Sequence, residues 1–172
     1  MKQMGLVTGG ILLIACFAFS PASAQTAKAD LRNAQGDSVG TATLTEGPQG
    51  VRITVEVAKL PPGRHGFHMH TVGKCDPPAF TSAGGHFNPD GKRHGWMNPA
   101  GLHAGDLPNL IVGPDGSARA EFYAPRVTLG AGSQSLFHPD GTALVIHAGP
   151  DDEATDPAGN SGDRIACGVI TK

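Results

Sequence analysis

The sequence lacks several features that mark particular classes of protein. Its 13 basic and 15 acidic residues give a net charge of −2, so it has no basic excess that would attract nucleic acid or an anionic membrane surface. It contains no helical repeat, no block of like charges and no low-complexity tract. Glycine and proline are abundant, at 25 and 14 residues, and they interrupt every helical pattern. We therefore expect neither a nucleic-acid partner nor a helical domain.

An uncharged apolar run occupies residues 6–19. It follows Lys2 and precedes residues 22–24, Ala-Ser-Ala, which form a small-x-small cleavage site. This order predicts that residues 1–24 are a secretion signal peptide. The run is shorter than the roughly 20 residues that a membrane span needs, which favours a leader over an anchor.

A second processing route stays open, because residues 13–16, LIAC, resemble the lipobox of bacterial lipoproteins. In that case Cys16 would be acylated and would attach the protein to a membrane; otherwise no membrane partner is expected. Cleavage after residue 24 is the favoured route, and it leaves residues 25–172 as one domain. This domain keeps 12 basic and 15 acidic residues, and we expect it to be periplasmic or secreted.

Cysteine is scarce in the mature chain. Of the three cysteines, Cys16 belongs to the leader, and only Cys75 and Cys167 remain. An even pair in an exported protein predicts a disulfide, because the compartments outside the cytoplasm are oxidising. Two buried free thiols are the alternative.

The mature chain has the pattern of an all-β protein. Residues 51–57 alternate apolar and polar side chains, which predicts a strand with one buried face. Further strands are predicted at residues 27–33, 39–44, 66–70, 117–123, 143–147 and 166–171, with a short one at 127–129. The fold class is therefore all-β, a Greek-key barrel or sandwich of about eight antiparallel strands.

Two connections are too long for simple turns. We name residues 71–109 the first loop and residues 148–165 the second loop. Long loops inside a compact domain are usually functional or disordered. The two loops hold Cys75, several histidines and aspartates, and Arg164, so we predict that they carry the functional site.

The histidines suggest a metal site. His68 and His70 share one face of a predicted strand, as two ligands of one metal would, although such a pair alone is a weak signal. The first loop adds the donors of a tetrahedral zinc site, namely three imidazoles and one carboxylate: His86, His94, His103 and Asp106. His147 ends the predicted strand 143–147, whose apolar residues look buried, and it is either a core histidine or a further ligand.

Together these residues are one group short of two four-ligand sites unless one group is shared. An imidazolate can bridge two metal ions through its two nitrogens. A site rich in imidazole and without thiolate suits copper or zinc better than calcium or magnesium. The residue types therefore favour a shared copper or zinc centre, without identifying the bridging histidine.

The sequence resembles the copper/zinc superoxide dismutases of the exported bacterial kind. The matching segments occur in the family's order across nearly the whole mature chain: GFHMH at 66–70, AGGHFNP at 83–89, RHG at 93–95, LHAGDLPN at 102–109, ALVIHAGPDD at 143–152 and GNSGDRIACGVI at 159–170.

The resemblance implies one copper and one zinc ion per subunit. It implies copper ligands at His68, His70, His86 and His147, and zinc ligands at His86, His94, His103 and Asp106. It further implies that His86 is the bridging imidazolate and transfers a proton, that Asp151 links a copper ligand to a zinc ligand, that Cys75 and Cys167 form the family's disulfide, and that Arg164 is the active-site arginine.

The function implied is disproportionation of superoxide to dioxygen and hydrogen peroxide, as an antioxidant defence outside the cytoplasm. A non-catalytic periplasmic metal-binding protein on the same scaffold is the alternative.

His65 and His138 match no ligand position and are interpreted as surface residues. Trp96 either anchors a homodimer interface or covers the first loop. The acidic second loop, with Asp151, Asp152, Glu153 and Asp156 and no lysine, leaves the steering of an anionic substrate in question.

Overall fold

The computed structural model of the protein describes residues 24–172, so the predicted leader up to residue 23, with Cys16, lies outside the described residues. Within this range the strands are β1 Thr26–Asn33, β2 Ser38–Gly47, β3 Gly50–Val57, β4 Gly63–His65, β5 Phe67–His70, β6 Leu110–Val112, β7 Ala118–Ala124, β8 Ala143–His147 and β9 Arg164–Val169. A short 3-10 helix covers Thr81–Ala83. No helix in residues 24–172 is long and apolar enough to cross a membrane.

The strands form an antiparallel seven-stranded sheet and a separate two-stranded ribbon. The order in the large sheet is β5-β8-β9-β1-β2-β3-β7, and β4 pairs with β6. Side chains along β3 alternate between the two faces of the sheet: Val51, Ile53, Val55 and Val57 are buried, whereas Arg52 and Glu56 between them are exposed. The all-β prediction is confirmed.

Two strands were not predicted from the sequence, and one predicted strand was wrong. Strands β4 and β6 have only three residues each and pair with one another, which leaves too little sequence for a periodic pattern. Residues 127–129 are not a strand, because this segment bonds mainly within its own loop. Thr128 N–H donates to Gln134 O, and the Glu46 carboxylate accepts Leu129 N–H.

The edge of the sheet at β5 is covered by the first loop. Met69 N–H donates to Gly105 O, and Phe87 N–H donates to Met69 O. Isolated bridges also pair His68 with Asp106 and His70 with His86. Unpaired backbone groups of an edge strand are thus satisfied by the loop rather than by another strand. This pairing lays the loop donors directly beside the two histidines of β5.

The other side of the site is fixed by β8 and β9. A register shift between Ile146 and His147 pairs His147 with Arg164 at the start of β9, two residues earlier than the predicted start of the last strand. Such irregularities re-aim side chains near functional sites. The disulfide between Cys75 and Cys167 ties the beginning of the first loop to β9 across 92 residues, as predicted.

Candidate metal centre

The structure brings all the candidate ligands into two adjoining groups. In each group the donor atoms lie within 4.8 Å of one another, and all of the residues are buried. The first group contains His68, His70, His86 and His147, and the second contains His86, His94, His103 and Asp106. His86 belongs to both groups, which is the sharing that a count of the donors alone required.

The rings of the first group each leave one nitrogen free. His70 Nδ1 lies 2.9 Å from Gly84 O, and His147 Nδ1 lies 3.0 Å from Gly162 O. Because a carbonyl oxygen only accepts, these Nδ1 atoms carry the proton and Nε2 carries the lone pair. His68 is held the other way, with Nε2 2.7 Å from the Asp151 carboxylate and Nδ1 free.

The free nitrogens are buried without a hydrogen-bond partner among the described residues: His68 Nδ1, His70 Nε2, His86 Nε2 and His147 Nε2. Buried polar atoms are nearly always paired, because leaving one unpaired costs about 1–3 kcal/mol. Four such atoms in one place are the donor set expected of a metal site. These residues therefore fit a copper ion.

Burial also keeps these rings neutral. It lowers the pKa of His68 to about 3 and that of His147 to about 4, and it lowers the pKa of His70 and His86 as well. A neutral imidazole offers a lone pair, whereas an imidazolium does not. Near neutral pH the first group is therefore ready to bind a cation without first losing protons.

The second group is centred on one carboxylate oxygen. Asp106 Oδ1 lies 2.8 Å from His86 Nδ1, 3.1 Å from His94 Nδ1 and 3.3 Å from His103 Nδ1. Its other oxygen accepts the backbone N–H groups of Gly95 and His103 at 3.0 Å. Burial raises the pKa of Asp106, but these hydrogen bonds outweigh burial and lower it. Three nitrogens and one anionic oxygen fit a tetrahedral zinc ion.

Asp151 connects the two groups. Its Oδ2 accepts from His68 Nε2, and its Oδ1 lies 2.9 Å from His94 Nε2. Although burial lowers the pKa of His94, the hydrogen bonds to Asp106 and Asp151 raise it to about 9. One carboxylate thus orients a ring of each group, as partners beyond the ligand shell do in metal sites.

Two residues that support Asp151 were not assigned a role from the sequence. Asn109 accepts Asp151 N–H at 2.8 Å and donates to Asp151 O at 2.9 Å. Gly159 has a φ of +61°, and a Cβ there would overlap Asp151 Oδ1 and crowd His94 Nε2. Asn109 is the last residue of the matched segment 102–109, and Gly159 is the first residue of the matched segment 159–170. This placement was the only signal in the sequence that pointed to them.

Arg164 lies beside the first group. Its guanidinium donates to Phe80 O and Gly84 O, both at 2.6 Å, and Gly84 O also faces His70 Nδ1. The neighbouring Asp163 forms no ion pair with it. Arg164, His70, His86 and His147 line a cavity of about 400 Å³, so the guanidinium charge is available to an anion that enters.

The remaining histidines differ from expectation. The surface interpretation of His65 was wrong, because only 2% of it is exposed. Its Nδ1 lies 2.7 Å from His147 O and its Nε2 lies 2.8 Å from Pro61 O, so the ring braces the backbone behind the first group. His138 is half-buried and stacks on Phe87 with ring centroids 5.3 Å apart. Neither ring belongs to the two donor groups.

Comparisons with known proteins agree with this arrangement. The model of the family described as "Copper/zinc superoxide dismutase (SODC)" matches residues 38–170. Superoxide dismutase [Cu-Zn] 1 of Aquifex aeolicus is 51% identical over 156 residues, covering 90% of this chain and 92% of the relative. A solved SOD-like protein from Bacillus subtilis has a TM-score of 0.81 at 43% identity, covering 83% of this chain and 96% of its own. Cu/Zn superoxide dismutase from Brucella abortus has a TM-score of 0.68 at 31% identity, covering 84% and 99%.

Proposed function

The chain belongs to the copper/zinc superoxide dismutase family, and we propose that it converts superoxide to dioxygen and hydrogen peroxide. The observation that supports this most directly is the group of four buried, unpaired imidazole nitrogens beside Arg164. Bound copper would supply one-electron redox chemistry that zinc lacks, alternating between two oxidation states. Zinc would hold the bridging ring and the first loop.

Each donor atom receives a role in this proposal. Copper would be held by His68 Nδ1, His70 Nε2, His86 Nε2 and His147 Nε2. Zinc would be held by His86 Nδ1, His94 Nδ1, His103 Nδ1 and Asp106 Oδ1. His86 would serve both ions, since its Nδ1 faces Asp106 in the second group and its Nε2 is free in the first group. Asp151 fixes the orientation and tautomer of His68 and the orientation of His94.

Two residues act on the substrate and product. Arg164 binds and orients the superoxide anion, because it lines the cavity and makes no ion pair with any described carboxylate. His86 Nε2 is the atom that we assign to proton transfer, since it faces the first group and has no hydrogen-bond partner among the described residues. This nitrogen would hold a proton only while it is not bound to copper, and that proton could then pass to the peroxide product. These are the two catalytic residues of the proposal.

A superoxide assay on protein of known metal content tests the function. The chain loaded with both metals should consume superoxide rapidly in stopped-flow measurements, and the same chain loaded with zinc alone should not. The alternative function, non-catalytic storage of copper and zinc, predicts stoichiometric binding of both metals without turnover. The presence of every donor together with Arg164 favours the enzyme.

We also propose that the protein is exported and that Gln25 is its first mature residue. The disulfide supports this, because such bonds persist in oxidising compartments. Mass spectrometry of the exported protein should find an N-terminus at Gln25. A diacylglyceryl mass on Cys16 would instead show that the protein is a lipoprotein.

For the oligomer, we propose a homodimer through an exposed apolar surface. Trp96, Met97 and Ile111 are 45%, 74% and 69% exposed. Contacts connect the segments that carry them: Met97 N–H donates to Glu153 O, the Glu153 carboxylate lies 3.9 Å from Arg64, and Arg64 pairs with Ile111. The same segments carry the oppositely charged side chains of Arg64 and Glu153. Two copies related by a twofold axis could therefore place unlike charges opposite each other. Light scattering should give twice the chain mass, and Trp96→Ala should give a monomer.

A further inference from the structure

Glu46 is a half-buried acid of β2 that forms no ion pair with any described residue. It lies on the core face of the strand, because Ala42 and Leu44 on the same face are fully buried. Its Oε2 accepts hydrogen bonds from Thr128 Oγ1 at 3.1 Å and from Leu129 N–H. Its Oε1 accepts none within residues 24–172. A carboxylate removed from water normally has a matching cation, so Glu46 has an unused binding capacity.

The start of the proposed mature chain lies beside this carboxylate. Gln25 continues the pairing of β1 with β2, because Glu46 N–H donates to Gln25 O at 2.8 Å. Residues opposite each other on antiparallel strands place their side chains on the same face of the sheet. Gln25 and Glu46 also line one open cavity of about 480 Å³, together with Thr128 and Gly130. The main-chain nitrogen of Gln25 therefore lies next to the residue that lacks a cation.

Other cations do not compete for Glu46. Apart from Glu46 itself, the described wall of this cavity has no charged side chain. Arg52 lines a second cavity that also includes Glu46, but its guanidinium lies 3.6 Å from the Glu121 carboxylate. Lys28, in β1, lies 3.6 Å from Asp30. A positive charge at the nitrogen of Gln25 would thus be the nearest match for the free oxygen.

We propose that Glu46 binds the α-ammonium group that signal-peptide cleavage creates at Gln25. The inference rests on the cleavage after residue 24 proposed above. Before cleavage this nitrogen belongs to a neutral amide, whereas the amine that cleavage releases is mostly protonated near neutral pH. Its ion pair with Glu46 ties the start of the mature chain to the segment containing Thr128 and Leu129. Processing therefore completes a contact that the uncleaved chain lacks.

The ion pair also protects Gln25 chemically. An amino-terminal glutamine can cyclise: the α-amino nitrogen attacks the side-chain amide carbon Cδ, a lactam ring forms, the bond from Cδ to Nε2 breaks and ammonia leaves. Only the unprotonated amine has the lone pair that this attack needs. Because a neighbouring carboxylate favours the protonated amine, Glu46 slows the cyclisation.

The rate of ammonia loss, followed by mass spectrometry of the intact metal-loaded protein, tests the proposal. The protein is prepared with Gln25 as its first residue, as wild type and as Glu46→Gln, which keeps an oxygen acceptor for Thr128 and Leu129. At pH about 6.5 the variant should cyclise about two- to fivefold faster, as expected for a partly exposed ion pair. At pH about 10 the amine is unprotonated in both proteins, so the two rates should be equal.

The control is Glu56→Gln, which removes the same charge from an exposed position on β3 outside this cavity. Its Gln25 should cyclise at the wild-type rate at every pH. A second readout is the pH profile with which the α-amine of freshly prepared protein is acylated, measured by peptide mapping. It should give a raised pKa for the amine of wild type and of Glu56→Gln, and an ordinary pKa for Glu46→Gln.

Three results would overturn the proposal. Equal cyclisation rates of wild type and Glu46→Gln at pH about 6.5 would show that the amine is not bound. A difference that persisted at pH about 10 would show that Glu46 acts only by holding the backbone. An exported protein that began at another residue would overturn this proposal together with the proposed cleavage, whereas the first two results leave that cleavage intact.

Discussion

Replacing Gly159 by alanine should disturb the metal centre although Gly159 has no side chain to contribute. Its φ of +61° lies in the left-handed region, and its missing Cβ leaves room for Asp151 Oδ1 and His94 Nε2. An added methyl group must displace the Asp151 carboxylate, because the backbone is held by Gly159 N–H donating to Thr155 O. The displacement breaks the contact between Asp151 and His94.

The expected cost has two parts that a control separates. A non-glycine residue in the left-handed region costs about 1–2 kcal/mol. Gly91 has a φ of +60° in the same loop as His94, but no atom lies within 4 Å of the point that its Cβ would occupy, so Gly91→Ala carries only this cost. Gly159→Ala also loses the Asp151–His94 hydrogen bond, at about 1.5–3 kcal/mol for a bond to a charged group, and about twice that if the bond to His68 breaks too.

Urea unfolding of the metal-free, disulfide-bonded variants measures this difference. Gly159→Ala should be less stable than Gly91→Ala by at least about 1.5 kcal/mol. Competition with a chelator should show zinc affinity reduced about 10- to 100-fold, because a partner of a ligand has been displaced. Equal stability of the two variants, with zinc affinity unchanged, would refute the role given to Gly159.

Further predictions concern the ligands, the arginine, the disulfide and pH. His94→Ala should abolish zinc binding and leave copper bound; stoichiometric zinc at nanomolar free metal would contradict the assignment. Arg164→Glu should keep both metals but lower the second-order rate constant at least tenfold in stopped-flow measurements, since it reverses the charge that faces the substrate anion in the cavity. Reduction of Cys75–Cys167 should expose both thiols to alkylation and lower the melting temperature, with a loss of up to about 4.7 kcal/mol expected for a loop near 100 residues. The folded-state pKa of His147 is about 4, below its ordinary value, so the unfolded chain binds more protons in acid. Urea titrations of the metal-free protein should therefore show stability falling as pH drops from about 6.5 towards about 4; stability that rose over this range would contradict the burial of a neutral ring.

Much of the fold followed from local pattern. The alternation in residues 51–57 predicted β3 because a half-buried strand needs one apolar face, and the structure buries Val51, Ile53 and Val55. The ribbon of β4 and β6 did not follow, since three-residue strands carry no period. For the same reason the inward direction of His65 could not be predicted.

The donor residues could also be identified in the sequence, because only a few residue types, among them His, Asp and Cys, bind metal ions or form disulfides. The pairing of Cys75 with Cys167 needed only a count and an oxidising compartment, and the structure confirms it. The roles of the ligands came from resemblance rather than from spacing, and they stay predictions until metal binding is measured.

Tertiary structure alone decided how those donors face one another. Which nitrogen of each ring is free depends on carbonyl groups such as Gly84 O and Gly162 O, which lie 14 and 15 residues away from the rings they contact. The space left by Gly159 for Asp151, and the positions of Asp152 and Glu153 outside the cavity wall, depend on backbone geometry between distant segments. A sequence determines which groups are present and their chemistry, but distance and direction between them arise only when the chain has packed.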